Sequence, residues 1–277
     1  MDFSGKRANV PEGEDGTFIN VSGLGLRTPV GTVYEDVGFA VGRGQVCSIF
    51  GDNGCGKTSL LLTVCGRMKP SVGTGRIAGF DLKRQYRRIR RLSAISFISG
   101  INDVQPFMSV HDLLAAELSL NGFKGSRAAT EEFLDNWEFL DRKDTRFRDL
   151  APFDEALFGI MLAMAARPQL LVVDDIQTDL TQHESLKLVG KLEQLAEAKD
   201  TTVLFACSEY EIARHADCIV VMSDAAAAQR RAVLRDAGIP LSQRVPVVGS
   251  GNGARVEDVE EHAGAGMPCS LEEGGER

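Results

Sequence analysis

The chain has 277 residues, 43% of them hydrophobic and 25% charged, ordinary values for a globular protein that exclude disorder along its whole length. Its longest apolar run, Ala156 to Ala166, stops at Arg167 and Pro168, short of the roughly 20 residues that a membrane-spanning helix needs. The net charge of −8 lies mostly at the ends: residues 1–16 hold four acidic side chains against Lys6 and Arg7, and from Ser250 onward seven acidic residues face Arg255 and Arg277, which leaves a nearly neutral body without an electrostatic footprint for nucleic acid.

The opening residues, MDFSGKRANVPEGEDG, lack the apolar stretch of a secretory signal. Six cysteines without any paired short spacing form neither a disulfide nor a zinc pattern, and the chain reads as reduced and cytoplasmic. Residues 1–16 and 249–277, rich in Gly and Glu, read as disordered tails flanking one folded domain over 17–248.

Short β-rich runs at Val46–Phe50, Ala94–Ile98, Leu170–Val173, Thr202–Ala206 and Cys218–Met222 alternate with longer segments of helical spacing. That alternation predicts an α/β fold with a mostly parallel, helix-covered sheet. Between Ser109 and Leu150 the strand signals vanish, and VHDLLAAELSL and AATEEFLDNWEFL carry apolar residues three and four apart. A helical insertion is expected there, within about 101–155.

The strongest signal is Gly51-Asp52-Asn53-Gly54-Cys55-Gly56-Lys57-Thr58, a complete G-x-x-x-x-G-K-[ST] match between an apolar strand and the helix-like TSLLLTVC. Its glycines let successive backbone N–H groups turn toward phosphate oxygens, the helix N-terminus favours negative charge, and Lys57 brings a mobile cation to the terminal phosphates. The candidate nucleotide-binding set is Gly51, Asn53, Gly54, Cys55, Gly56, Lys57, Thr58 and Ser59, with the Thr58 hydroxyl offered to Mg²⁺. Further on, Leu170-Leu171-Val172-Val173-Asp174-Asp175 reads as a buried strand emerging into two carboxylates. Asp174 would complete the magnesium site, since Mg²⁺ takes few protein ligands and keeps its waters. Asp175 either polarises an attacking water or caps the following turn.

The order of these motifs resembles the ATP-binding subunits of ABC transporters from about Phe18 to Met222. GRGQVCSIFGDNGCGKTSLLLTVCGRMKPSVGTGRIAGFDL is similar to the family's strand, Walker A loop, helix and β-subdomain return, and LLVVDDI resembles its Walker B strand. The resemblance implies a P-loop NTPase core with an antiparallel β-subdomain and a helical subdomain. It also implies ATP and Mg²⁺ as ligands, with Lys57 and Asp175 as catalytic residues. The implied assembly is a homodimer or a heterodimer with another cassette, peripheral at the inner face of the plasma membrane and driving a separately encoded permease, without nucleic acid.

Several family positions are altered. Where the family has its Leu-Ser-Gly-Gly-Gln signature, this chain has Leu150-Ala151-Pro152-Phe153-Asp154, which lacks the serine hydroxyl and one backbone N–H. Asp154 and Glu155 then fall in the first turn of a helix, where negative side chains suit the dipole but repel a partner's γ-phosphate. The family's switch histidine falls on Ser208, its Walker B glutamate on Asp175, its D-loop aspartate on Thr181 and its glutamine-bearing loop on Ser99-Gly100, with Gln105 the nearest glutamine. No aromatic equivalent for stacking adenine stands near Arg27-Thr28, because Tyr34 falls on a core position. These changes leave an alternative open, a regulatory module that binds nucleotide with little or no turnover.

Lesser features have structural readings. Lys83, Arg84, Arg87, Arg88, Arg90 and Arg91 read either as a solvated helix face or as a face toward anionic lipid or an acidic partner loop, and Leu157, Phe158, Met161, Met164 and Ala165 either as a helix packed on the sheet or as a soft binding groove. The four histidines are isolated in sequence. Cys55, beside Lys57 and a helix N-terminus, is either a redox-sensitive thiol or a small residue tolerated in the loop.

Overall fold

A computed structural model describes residues 16–98, 100–123 and 126–222. The expected tail over 249–277, the stretch 223–248 of the expected domain, and residues 1–15 lie outside the described residues.

The first two strands, β1 (Thr17–Thr28) and β2 (Gly31–Gly42), form an antiparallel hairpin. On the other edge of β1 run β4 (Val72–Ile77) and the short β5 (Phe80–Asp81), giving an antiparallel sheet of order β2-β1-β4-β5. A second, wholly parallel sheet has the order β6-β7-β8-β3-β9, from β3 (Val46–Phe50), β6 (Ser93–Ile95), β7 (Leu170–Val173), β8 (Thr202–Cys207) and β9 (Cys218–Val221). Together these are mixed α/β layers, a parallel sheet beside an antiparallel one.

The two-residue period of a strand sorts the central side chains into two cores. Leu171, Val173, Val203 and Phe205 face a core shared with the helical region, whereas Leu170, Val172, Leu204 and Ala206 face one shared with the antiparallel sheet. Since both faces are covered, β7 and β8 are buried throughout, which is why they read as unbroken apolar runs.

Helix α1 (Lys57–Val64) leaves the tip of β3. The basic run folds as α2 (Tyr86–Leu92), shorter than its charge spacing suggests, because the Asp81 carboxylate takes the N–H groups of Lys83 at 3.0 Å and Arg84 at 2.7 Å and turns the chain first. Arg84, Arg87, Arg88, Arg90 and Arg91 are exposed, in keeping with a solvated face. The β-rich run from Ala94 ends early as a strand, at Ile95. Two residues beyond Ser96, the Ile98 N–H is taken by Asn102 Oδ1 at 2.8 Å, which pulls the chain out of the sheet.

The helical region holds α3 (Val110–Leu120), capped by Ser109, and α4 (Arg127–Asp135), capped by Ser126. The predicted helix over 128–140 stops at Asp135, and the left-handed Glu138 (φ 57°) turns the chain before Phe139 enters the core. Helix α5 (Pro152–Ala165) follows, with Phe158, Met161, Met164 and Ala165 buried. Helix α6 (Gln182–Lys199) and the single-turn α7 (Tyr210–Ala213) complete the described fold. Among the described residues no helix is long and apolar enough to cross a membrane.

Candidate active site

The phosphate loop is the connection from β3 to α1. Its first glycine is anchored from both sides: the Gly51 N–H donates to the Cys207 carbonyl at 3.3 Å, and a Cβ added at Gly51 would run into the Met222 carbonyl. Gly56, at φ 97°, opens α1 in the left-handed region, and a Cβ there would stand 3.0 Å from the Val33 carbonyl. Only glycine satisfies both the dihedral and the approach. Between them Asn53 and Gly54 form the exposed tip.

Lys57 is only 8% exposed, and its Nζ donates to the carbonyls of Gly51 at 2.7 Å and Asp52 at 2.9 Å. The loop thus wraps its own cation. Thr58 follows, and its hydroxyl donates to Asp174 Oδ2 at 2.7 Å, joining residues 116 apart in sequence. Burial pushes the Asp174 carboxyl above its ordinary value; the Thr58 bond pulls it back and the neighbouring Asp175 charge raises it again. Ser59 is half-buried, and its carbonyl accepts the Thr63 hydroxyl at 2.8 Å.

Cys55 differs from the redox reading. Its side chain is 1% exposed, and burial raises the thiol pKa by more than the Lys57 charge lowers it. The small-residue reading stands, because a protonated, enclosed thiol is a poor nucleophile. Burial pushes the Cys207 thiol, at the end of β8, up to about 12, against the lowering pull of the Lys57 charge.

Asp175 takes a left-handed conformation (φ 41°), and its side chain is exposed at the end of β7. It is the Asp175 backbone carbonyl, accepting from the Thr178 N–H at 3.2 Å, that closes the following turn. A cleft of about 460 Å³ opens beside it, lined by Thr58, Asp174 and Asp175 together with Pro152, Glu155 and Ala156. Lost hydration and then the Asp179 carboxylate push Glu155 above its ordinary value.

The altered positions are occupied by structural bonds. Pro152 is the first residue of α5, where its missing N–H costs nothing, and Ala151 before it has no side-chain acceptor. Asp154 accepts from Arg142 Nε at 2.6 Å, a bond that is the main cause of a raised Arg142 pKa. Thr181 caps α6 in a reciprocal box with Glu184. Ser208 is held by Gln177: its N–H donates to Gln177 Oε1 at 3.0 Å, and Gln177 Nε2 donates to its hydroxyl. Ser99 lies outside the described residues, and Gln105 is exposed.

Tyr34 is 1% exposed and shares a 2.7 Å hydrogen bond with the Thr63 hydroxyl, a core role that removes it from any base. Arg27 and Thr28 are exposed at the end of β1, beside the fully exposed Val30. Among the described residues, no three His, Cys, Asp or Glu side chains group as a metal site. Gln177 and Arg142 escaped the sequence reading, since nothing in their local pattern shows what they meet across the fold.

A family model described as ABC transporter matches residues 34–178. Over 199 residues the chain is 27% identical to the methionine import ATP-binding protein MetN 1 of Rhodococcus jostii (strain RHA1), covering 70% of this chain and 58% of that protein. Over 191 residues it is 27% identical to the lipoprotein-releasing system ATP-binding protein LolD 1 of Rhodospirillum rubrum, covering 67% and 84%. The chain spans 58% and 62% of the lengths of two methionine-import relatives. Among solved structures, it is similar to cbiO1 from Clostridium perfringens, part of the ABC transporter complex cbiONQ, with a TM-score of 0.66 at 18% identity, covering 81% of this chain and 95% of that one. A dimeric post-hydrolysis state of an ATP-binding cassette bound to ADP and Pi aligns with a TM-score of 0.63 at 19% identity, covering 74% and 94%. Both structures share its fold.

Proposed function

The chain belongs to the ABC transporter family as an ABC-type ATPase, and from that premise we propose that it binds Mg-ATP at the Lys57 loop and hydrolyses it to drive a separately encoded membrane permease. The observation that carries this reading is the 2.7 Å bond from Thr58 to Asp174, which joins the phosphate loop to the end of β7. Two hard oxygen donors side by side fit a magnesium ion, which takes few protein ligands. When bound, the ion neutralises charge on the phosphate oxygens.

The residues of the chain then divide the work. On binding, Lys57 exchanges the Gly51 and Asp52 carbonyls for terminal phosphate oxygens, while the loop N–H groups and the start of α1 hold the remaining phosphates. Asp175, one methylene shorter than the family's glutamate, orients the attacking water from the cleft mouth. The chain works as one of two cassettes at the cytoplasmic face of the membrane, with an identical or a different partner. This assembly is supported by the dimeric structure whose fold it shares and by relatives named as subunits of transport systems.

A specific observation favours a second reading, a nucleotide-binding regulatory module with little turnover. Asp154, at the last signature position, is committed to Arg142 of its own chain, and Ala151 and Pro152 have no hydroxyl and no N–H to offer. Steady-state ATP turnover of the full chain, alone and with candidate partner cassettes and membrane proteins, decides between the two. The transport reading expects turnover that falls by about a hundredfold or more in Asp175→Asn while nucleotide binding persists. Tight binding without turnover under every pairing supports the regulatory module.

A further inference from the structure

Strand order gives Ser208 two different flanks. In the parallel sheet β8 lies between β7 and β3, so the residue that follows β8 has the continuation of β7 on one side and the phosphate loop on the other. The contacts agree. The Cys207 carbonyl accepts the Gly51 N–H at 3.3 Å on the β3 side, and the Ala206 carbonyl accepts the Ile176 N–H at 3.1 Å on the β7 side. Ser208 and Gln177 come next along each chain segment, and they meet.

The carboxamide of Gln177 makes two hydrogen bonds to Ser208, and the first determines the second. A backbone N–H can only donate, so the Ser208 N–H, 3.0 Å away, takes the carboxamide oxygen. That leaves the NH₂ group facing the Ser208 hydroxyl, and since an amide NH₂ can only donate, Oγ must accept. A hydroxyl that accepts still carries its own proton. Gln177 occupies the β7 side of Ser208, and on the β3 side Gly51 begins the loop that encloses Lys57.

We infer that Gln177 is a positioning residue for the terminal phosphate, turning the Ser208 hydroxyl into a donor aimed at a γ-phosphate oxygen beside Lys57. This rests on the ATPase reading and deepens it: ATP is distinguished from ADP by a neutral hydroxyl whose direction another side chain dictates. No proton is transferred. A serine alone would rotate freely between acceptors, and the carboxamide removes that freedom before the nucleotide arrives, so less ordering is left for the binding step.

The test measures the affinities of ADP and of a non-hydrolysable ATP analogue for the full chain and for Gln177→Met, Ser208→Ala and the double variant. Each single change is expected to weaken the ATP analogue by about tenfold, the scale of one hydrogen bond to a charged group, while ADP affinity holds. The double variant should be no worse than either single one, because both remove the same contact. Should Gln177→Met fail to fold, Gln177→Glu retains an acceptor for the Ser208 N–H but cannot donate to Oγ, and the same selective loss is expected. If both nucleotides weaken together, or neither changes while the wild type still binds ATP and ADP, Gln177 is merely structural and this inference fails alone. A wild-type chain that binds neither nucleotide overturns this inference and the ATPase reading together.

Discussion

Thr58 and the end of β7, beside the Lys57 loop, line one cleft together with the segment around Pro152, yet the two regions are built on opposite plans. At the first, each polar group is poised for exchange. Lys57 rests on two carbonyls of its own loop, and Thr58 rests on the Asp174 carboxylate. At the second, the polar groups have settled on intramolecular partners: Asp154 on Arg142, and Thr181 on Glu184 at the neighbouring helix start. A nucleotide can displace carbonyl contacts because phosphate is the stronger partner for an ammonium. It has no such lever on the box that caps α6. On the proposed reading, the contrast is between a phosphate loop whose polar contacts a nucleotide can exchange and a signature segment whose polar groups are already taken.

The sharpest way to break this contrast is Lys57→Ala. Removing a largely buried cation from the cradle should weaken both ATP and ADP by about a hundredfold, read by direct titration. If affinity is retained, the loop does not hold phosphates. Next in size is a pair of glycine changes. Gly51→Ala puts a methyl against the Met222 carbonyl and should cost about 2 kcal/mol of stability. Gly54→Ala faces open space at φ 84° and should cost about 1 kcal/mol, from the dihedral alone. Thermal melts of the two variants separate the packing role of the loop from its conformational one, and equal costs would show that the approach of Met222 does not matter.

In the segment around Pro152, Ala151→Ser supplies the missing cap of α5 and should stabilise the chain by about 1 kcal/mol. Should it also raise turnover in the paired assembly, the segment still serves a partner's nucleotide and the contrast softens. The smallest effect is expected at Thr181→Ala, which opens the box on α6 at a cost of up to about 1 kcal/mol. That change also alters the pH response. The Thr181 N–H and then the Thr181 hydroxyl hold the Glu184 carboxyl below its ordinary value, and the variant keeps the first and loses the second. A carboxyl depressed in the folded state contributes stability that is present above its unfolded pKa, about 4.3, and is lost as pH falls through the folded value. Denaturant midpoints should therefore fall with acidification below about pH 5, and the Thr181→Ala variant should show a shallower fall.

Much of this was legible along the chain. The runs Val46–Phe50 and Leu170–Val173 are strands with those very bounds, and Val110–Leu120 is a helix, because burial on both faces or on one stripe leaves its period in the sequence. The phosphate loop was legible for a related reason. Its chemistry depends on backbone conformation, which Gly51, Gly54 and Gly56 reveal locally. The thiol of Cys55 was not: its neighbours in sequence favour a thiolate, and only the enclosure of its side chain reverses that.

The sequence by itself determined the fold class, the candidate cradle for phosphate and the two candidate metal ligands, since each follows from local periodicity or from a motif whose residues act side by side. Tertiary structure alone decided which altered positions found new partners. Arg142 meets Asp154 and Gln177 meets Ser208 through the placement of helices and strand ends, and no local pattern records that placement. Short-range steric preference is written residue by residue, whereas a side chain's partner across the fold depends on every element that brings the two together.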